Sequence, residues 1–320
     1  CLLDAFLSAL SERGQKTFVL SGNHDSAERL AFAARLMAQS GIYIAPAYRG
    51  RVEPYTLEDE YGPLRLWLLP FVKPAHVRAA WPGEEIISYT DALRTVIAHM
   101  EIDPAERNVL AAHQYVTGSA RSESEEVNVG GLDNVDAAVF APFDYVALGH
   151  LHRPQNVGGA EVIRYAGSPL AYSFSEAGTE KSLTVAEFGA KGQLSLRTVP
   201  LIPLRALKEI RGIFSEISSV KYYGLPEYRE NYLHITLTDE QDVPDAFARL
   251  KNLYPYLMTL DYDNTRTWTA SAVSGAENVP EKTPLELFAE LYTLQNGAAP
   301  GREQEAYLAA KLEALQEGDS

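Results

Sequence analysis

At the start of the chain, apolar residues recur with helical spacing in some segments and form a short strand-like run in another, which is the pattern of a mixed α/β protein. Residues 1–10 place their apolar side chains on one helical stripe, and Gly14 follows as a C-terminal stop. Residues 17–20 form a short apolar run typical of a strand, and residues 26–40 space Ala, Leu and Phe among charges as a helix does. The chain is therefore predicted to begin as helix, strand, loop, helix.

Further short apolar runs predict more strands, with a helix inside residues 84–100. The predicted strands are 42–45, 64–71, 108–112, 144–149, 162–165 and 182–188. Between 116 and 133 the chain turns to Ser, Glu, Gly and Asn, which indicates a solvated acidic loop.

A change of composition at residues 200–203 predicts a linker into a second unit. There, a strand at 232–238, a helix at 246–254 and a strand at 258–262 make a β-α-β pattern. Residues 284–316 read as two helical stretches broken by Asn, Gly and Pro. The chain is thus predicted to hold two folded units and a helical tail.

Composition narrows the class of protein. No apolar run approaches a membrane span, and the one cysteine, Cys1, excludes internal disulfides, so we expect a cytoplasmic protein. A formal net charge of −15 argues against a protein that coats nucleic acid, although bound cations could still hold a phosphate backbone. Because Cys1 is not Met and already lies in a helical pattern, we expect an N-terminally truncated chain.

Candidate metal ligands stand at the ends of three predicted strands. Asn23 and His24 follow the first, His113 ends the second, and His150 and His152 follow the third. Strand ends converge at one edge of a sheet, and residues two apart on extended backbone point the same way. Imidazoles with an amide oxygen suit Mn²⁺, Fe²⁺ or Zn²⁺ better than Ca²⁺.

Each motif has a structural alternative. The string Gly22 to Asp25 is also explained as a tight turn, with Asp25 capping the next helix and Glu28 completing a capping box. A lone His113 is also explained as a structural histidine. The string Gly149 to His152 is the most specific for metal. The remaining histidines lack such a strand-end setting and are assigned structural roles: His76, His99 and His234.

Together, in this order and spacing, the motifs Gly-Asn-His-Asp, strand-ending His and Gly-His-Leu-His resemble those of calcineurin-like metallophosphoesterases. The strings at 147–155, 165–170 and 172–176 resemble the SbcD family within that superfamily. The resemblance implies an α/β (α+β) fold, a two-sheet β-sandwich flanked by helices. It implies a metallophosphoesterase (nuclease) domain at 1–200, a capping α/β domain at 204–275 and an ATPase-docking helical tail at 280–320.

The resemblance also implies roles for the candidate residues. Asn23, His113 and His150 would bind one metal and His152 the other. His24 would be the catalytic imidazole, poised by Asp25. The family pattern includes an early Asp-x-His and a Gly-Asp-x-x-Asp, and neither is present in this sequence. We therefore expect these 320 residues to turn over DNA poorly.

The function implied is hydrolysis of DNA by a double-strand exonuclease and hairpin or single-strand endonuclease in repair, recombination and replication. Two divalent ions, Mn²⁺ in particular, would be its cofactors. Its partners would be DNA and an SbcC-like SMC-type ATPase, and it would form a homodimer within a heterotetramer in the bacterial cytoplasm. Two alternatives stay open: a non-catalytic fragment that docks the ATPase, and a phosphodiesterase of small nucleotides.

Overall fold

The computed structural model describes residues 2–119 and 134–264, together with residues 288, 289, 292, 293, 300, 301, 304 and 307. The predicted mixed α/β class is confirmed, with several sheets and helices. The chain divides into two compact units, one of Cys1–Thr236 with Pro244–Asp261, the other of Leu237–Val243 with Tyr262–Ser320. Most of the acidic loop predicted at 116–133 lies outside the described residues.

The first unit begins with a small parallel sheet and short helices. These elements are α1 (Leu2–Glu12), β1 (Thr17–Val19), α2 (Ala27–Leu30), α3 (Ala34–Ala38) and β2 (Ile42–Ile44), with β1 paired to β2. Gly14, at φ 69°, follows α1 as predicted. The single helix predicted at 26–40 is wrong, because Ala33 adopts a left-handed φ of 59° that separates α2 from α3.

A six-stranded sheet forms the centre of the first unit. Its elements and the neighbouring helices are β3 (Pro54–Asp59), β4 (Gly62–Leu69), α4 (Pro74–Ala80), α5 (Tyr89–Ala98), β5 (Arg107–His113), β6 (Tyr145–Gly149), β7 (Gln155–Val157) and β8 (Ala160–Tyr165). The strand order is β3-β4-β5-β6-β8-β7, in which β4, β5, β6 and β8 are parallel and the two edge strands antiparallel.

Both faces of this sheet are covered. On one face Leu110 and Val146 join a large core that includes Leu93 of α5. On the other face a hairpin of β9 (Ser182–Phe188) and β10 (Leu194–Pro200) packs on Val109 and its neighbours. Because side chains alternate along a strand, adjacent residues such as Val109 and Leu110 serve opposite cores.

A three-stranded sheet, in the order β11-β12-β13, follows the hairpin. Its elements and the neighbouring helices are β11 (Leu207–Gly212), α6 (Phe214–Ile217), α7 (Val220–Tyr223), α8 (Pro226–Arg229), β12 (Tyr232–Leu237), α9 (Ala246–Leu253) and β13 (Leu257–Tyr262). The predicted β-α-β pattern corresponds to β12, α9 and β13, and β11 was not predicted.

The second unit is described only in part. Asp263 N–H donates to the Leu237 carbonyl at 2.8 Å, and the Asn264 side chain donates to the Asp239 carbonyl at 3.0 Å. Most of the helical tail predicted at 280–320 lies outside the described residues, and Phe288, Tyr292 and Tyr307 within it are helical. Among the described residues, no helix has the length and apolar content that crossing a membrane requires.

Candidate metal centre

Three of the candidate ligands lie close together where β5 and β6 end: Asn23, His113 and His150. His113 closes β5 and lies in register with Gly149, the last residue of β6. The loop after β1 reaches the same edge, because the Ser21 carbonyl accepts a hydrogen bond from Phe71 N–H at 3.0 Å, just beyond β4. Asn23 Oδ1 then lies 2.9 Å from His113 Nε2. Two residues 90 positions apart are thus in contact at the predicted edge.

The loop that carries Asn23 and His24 is a closed turn. Gly22 N–H donates to Asp25 Oδ2 at 2.8 Å, and Asp25 N–H donates to the Gly22 carbonyl at 3.3 Å. The residue that caps α2 is Ser26, whose hydroxyl accepts from Arg29 N–H. The helix-capping alternative for Asp25 is therefore wrong. Asp25 instead braces the turn, and His24 lies exposed on it.

His113 is seated between two glycines. A Cβ at Gly22 would lie 2.7 Å from His113 Cε1, and a Cβ at Gly149 would lie 2.9 Å from His113 Nδ1. Burial is the main cause that lowers the pKa of His113 to about 4, and the nearby His150 lowers it further while Asp25 opposes the shift. At neutral pH His113 is therefore an uncharged imidazole, the form that binds a metal.

His150 approaches His113 with strained backbone. The two ring centroids are 5.3 Å apart and the planes are nearly perpendicular at 85°. His150 has a φ of 113°, which non-glycine residues seldom adopt and which costs on the order of 1–3 kcal/mol. The expectation that extended backbone aligns His150 with His152 is therefore wrong. The left-handed turn at His150, and not strand alternation, directs its ring toward His113.

His152 is held by a different set of neighbours. Its Nδ1 lies 3.3 Å from Glu176 Oε1, and its ring packs edge-on to Tyr172 with centroids 5.3 Å apart. Glu176 is fully buried and its other oxygen accepts from Lys181. Sequence reasoning missed Glu176 and Lys181, although Glu176 ends the string 172–176 that carried part of the family resemblance.

The remaining histidines do not lie at the ends of β5 or β6 and have structural contacts; the ring of His234 packs against Phe174 with centroids 5.2 Å apart. His76 Nδ1 accepts from Lys73 N–H at the start of α4, and His99 stacks on Trp81 with centroids 3.6 Å apart. His234, in β12, has Glu209 Oε1 at 3.1 Å from Nδ1 and Asp261 Oδ2 at 2.8 Å from Nε2. Both nitrogens of His234 therefore contact carboxylates.

The donor set fits part of a metal shell. Within the part of the chain that the structure describes, no three His, Cys, Asp or Glu side chains are grouped to hold an ion. The closest pair of candidate ligands at this edge combines an amide with an imidazole: Asn23 Oδ1 lies 2.9 Å from His113 Nε2. Adjacent octahedral ligands about 2.1 Å from one ion lie about 3 Å apart, so Asn23 and His113 fit a shared ion.

Comparison with known proteins shows which family the chain resembles. Residues 203–296 match the SbcD C-terminal family model, described as the type 5 capsule protein repressor C-terminal domain. The chain is 32% identical over 245 residues to the SbcD subunit of nuclease SbcCD from Staphylococcus epidermidis, which covers 76% of this chain and 64% of that protein. The predicted resemblance is confirmed: the chain is similar to SbcD proteins over 76% of its length.

A second relative gives the same result. The SbcD subunit of nuclease SbcCD from Staphylococcus saprophyticus is 33% identical over 245 residues, covering 76% of this chain and 63% of that protein. The chain spans less than two thirds of the length of both curated relatives. The similarity to these nuclease subunits therefore covers part of their length.

Proposed function

We propose that this chain belongs to a nuclease subunit that hydrolyses DNA phosphodiester bonds with two divalent ions, Mn²⁺ in particular. One observation carries the proposal: Asn23 Oδ1 and His113 Nε2 lie 2.9 Å apart, with the His150 ring beside them. The names of the two relatives, each a subunit of a nuclease, support the same class of activity.

Asn23, His113 and His150 would hold one ion, and His152 would hold the other. Bound ions of this kind supply an activated water and stabilise the attacking and leaving oxygens of an in-line displacement. The chain contributes a neutral His113, because burial lowers the pKa of this imidazole to about 4. It also contributes a rigid Asn23, because the turn closed by Asp25 fixes the backbone on either side.

His24 would be the catalytic imidazole. It is exposed on the turn that Asp25 closes, so a phosphodiester lying against this edge could reach it. An imidazole in this place would donate a proton to the leaving oxygen or stabilise developing negative charge. Asp25 would act indirectly, by holding the turn that presents His24.

The proposed partners are DNA and an SbcC-like SMC-type ATPase, in a heterotetramer that contains a homodimer of this protein. The relatives are each named as one subunit of SbcCD, which supports an assembly of more than one kind of chain. The proposed place of action is the bacterial cytoplasm, in DNA repair, recombination and replication. Because the net charge of −15 disfavours contact with nucleic acid, bound cations would help to hold a phosphate backbone at this edge.

The test is degradation of linear duplex DNA by the full-length protein with Mn²⁺. His24→Ala and His150→Ala should each lower the cleavage rate by at least about 100-fold. Loss of a residue that only supports a metal ligand already lowers activity by up to about 100-fold, so loss of a ligand or of the catalytic imidazole should cost at least as much. His234→Gln is the matched control, because His234 lies in the β11-β12-β13 sheet between two carboxylates. Unchanged cleavage by His24→Ala or His150→Ala would overturn the proposal.

The same assay separates the alternatives. A preference for a cyclic nucleotide over linear duplex would indicate a phosphodiesterase of small nucleotides. The docking-fragment alternative is favoured by the absence, among described residues, of three grouped His, Cys, Asp or Glu ligands. Less than one tightly bound ion per chain, with intact ATPase binding, would support that alternative.

A further inference from the structure

A buried ion pair lies directly behind His152. Glu176 has no exposed surface and Lys181 is 5% exposed. Lys181 Nζ donates to Glu176 Oε2 at 2.5 Å, to Ser168 Oγ at 3.0 Å and to the His152 carbonyl at 2.7 Å. An ammonium has three N–H donors, so each has an acceptor here.

This pair fixes both the backbone and the ring of His152. The His152 carbonyl also accepts from Ser168 N–H at 3.0 Å. Because Lys181 takes Oε2 of Glu176, the other oxygen, Oε1, faces His152 Nδ1 at 3.3 Å and also accepts from Ser173 Oγ at 3.5 Å. The next residue, Arg153, donates to the Ser175 carbonyl at 2.7 Å, which is a second link between the segment that carries His152 and the one that carries Glu176.

The pair costs stability, which makes its position informative. Each buried ion loses its hydration, and apolar residues of the same volume often stabilise a fold equally well or better. Here the Glu176 carboxylate contacts Nδ1 of His152, a candidate metal ligand. A carboxylate in that place selects the imidazole tautomer and orients the ring.

We infer that Glu176, held by Lys181, is a positioning residue that keeps the proton of His152 on Nδ1 and leaves Nε2 unprotonated as the ligand atom for a divalent ion. The metal role rests on the proposed function. The tautomer itself does not, so it can be measured in metal-free protein.

Glu176→Gln should reverse the tautomer. Lys181 can only donate, so the amide oxygen of Gln should turn to Lys181 and the NH₂ group should face His152 Nδ1. Nδ1 must then accept, which moves the proton to Nε2. Nitrogen-15 NMR of the imidazole rings should show Nδ1–H in the metal-free wild type and Nε2–H in Glu176→Gln.

The double variant Glu176→Gln with Lys181→Met should restore the wild-type tautomer. Without the lysine, the amide is able to rotate and present its oxygen to Nδ1–H. If Glu176 and Lys181 had a purely structural role, the double variant would perturb the His152 ring more than Glu176→Gln alone. The second change is therefore a rescue that only the positioning role predicts.

Metal binding gives a second readout on the same ring. The Mn²⁺ concentration that halves the His152 ring signal should rise about 10- to 100-fold in Glu176→Gln and return toward wild type in the double variant. Glu106→Gln is the control, since Glu106 pairs with Arg65 and not with His152, and its loss should leave the His152 signal unchanged.

A variant without any acceptor covers the case in which Glu176→Gln fails to fold. The double variant Glu176→Met with Lys181→Met buries no charge. The Mn²⁺ concentration that halves its His152 ring signal should be at least about 10-fold higher than in the double variant Glu176→Gln with Lys181→Met. Equal responses of these two, or an Nδ1–H ring in folded Glu176→Gln, would overturn the inference. The expected tautomers in a protein without nuclease activity would instead overturn only the proposed function.

Discussion

His152 and His234 both contact acidic side chains, and the difference between them separates a candidate ligand from a structural histidine. His152 follows the end of β6 and has a buried carboxylate, Glu176, on Nδ1. His234 lies within β12, and both of its nitrogens contact carboxylates that are more than half exposed, those of Glu209 and Asp261. The number of carboxylates on a histidine and their burial therefore distinguish the candidate ligand from the structural histidine, whereas the presence of a carboxylate alone does not.

The comparison indicates which contacts the fold depends on. The Glu176 and Lys181 pair is almost wholly buried, so each partner depends on the other. The contacts of His234 are partly hydrated and contribute little to folding. Charge changes at the two places should therefore have very different effects on stability.

The largest expected effect on stability comes from removing one partner of the buried pair. Lys181→Met should lower the free energy of unfolding by about 3–5 kcal/mol, because Glu176 is left as an uncompensated buried charge. Asp261→Asn, the matched change beside His234, should cost about 1 kcal/mol or less. Denaturant unfolding of both variants measures the difference, and equal losses would remove the contrast between the two regions.

The next effect is a dependence of stability on pH at His113. The pKa of His113 is about 4 when folded, against an ordinary value of 6.5. Between these values the unfolded chain binds a proton that the folded chain does not, so stability falls as pH decreases from 6.5 to 4. The loss from this group is up to about 3 kcal/mol and is complete below about pH 4.

Metal-free protein should be used to measure this effect. Unfolding free energies of wild type and His113→Gln, each at about pH 7 and about pH 4.5, isolate the contribution of this imidazole. The wild type should lose more stability than the variant. An identical pH dependence in both proteins would show that His113 titrates normally.

A smaller effect should follow from filling the space beside His113. Gly149→Ala places a Cβ 2.9 Å from His113 Nδ1, and such overpacking costs about 1–3 kcal/mol. Gly83→Ala is the control, because nothing lies within 4 Å of its added Cβ. Thermal unfolding and the His113 ring resonance should both change in the first variant and neither in the second. A tolerated Gly149→Ala would mean that the glycine is not required for the seat of His113.

The site could be predicted because its signals are local. Short apolar runs end directly at His113 and near His150, and parallel strands end at one edge. The contact between Asn23 and His113 does not follow from that topology, because β1 pairs with β2 in a separate sheet. The left-handed φ of His150 does not follow either, since its sequence context also fits extended backbone.

Other features left no periodic signal. Glu176 lies in a short 3-10 helix, Phe174–Glu176, where a charged residue is ordinarily read as exposed. The strands β3, β10 and β11 have at most one buried position each, so their apolar runs are too weak to detect. The division between α2 and α3 occurs at Ala33, and alanine usually favours a continuous helix.

The most direct test of the central claim is the effect of Mn²⁺ on the individual histidine ring signals of the wild-type chain. A divalent metal site at the ends of β5 and β6 predicts that His113, His150 and His152 broaden at the lowest Mn²⁺ concentrations. His76, His99 and His234 should stay sharp under the same conditions. Broadening of His234 at the same concentration as His113, or no broadening of the strand-end histidines, would contradict the account.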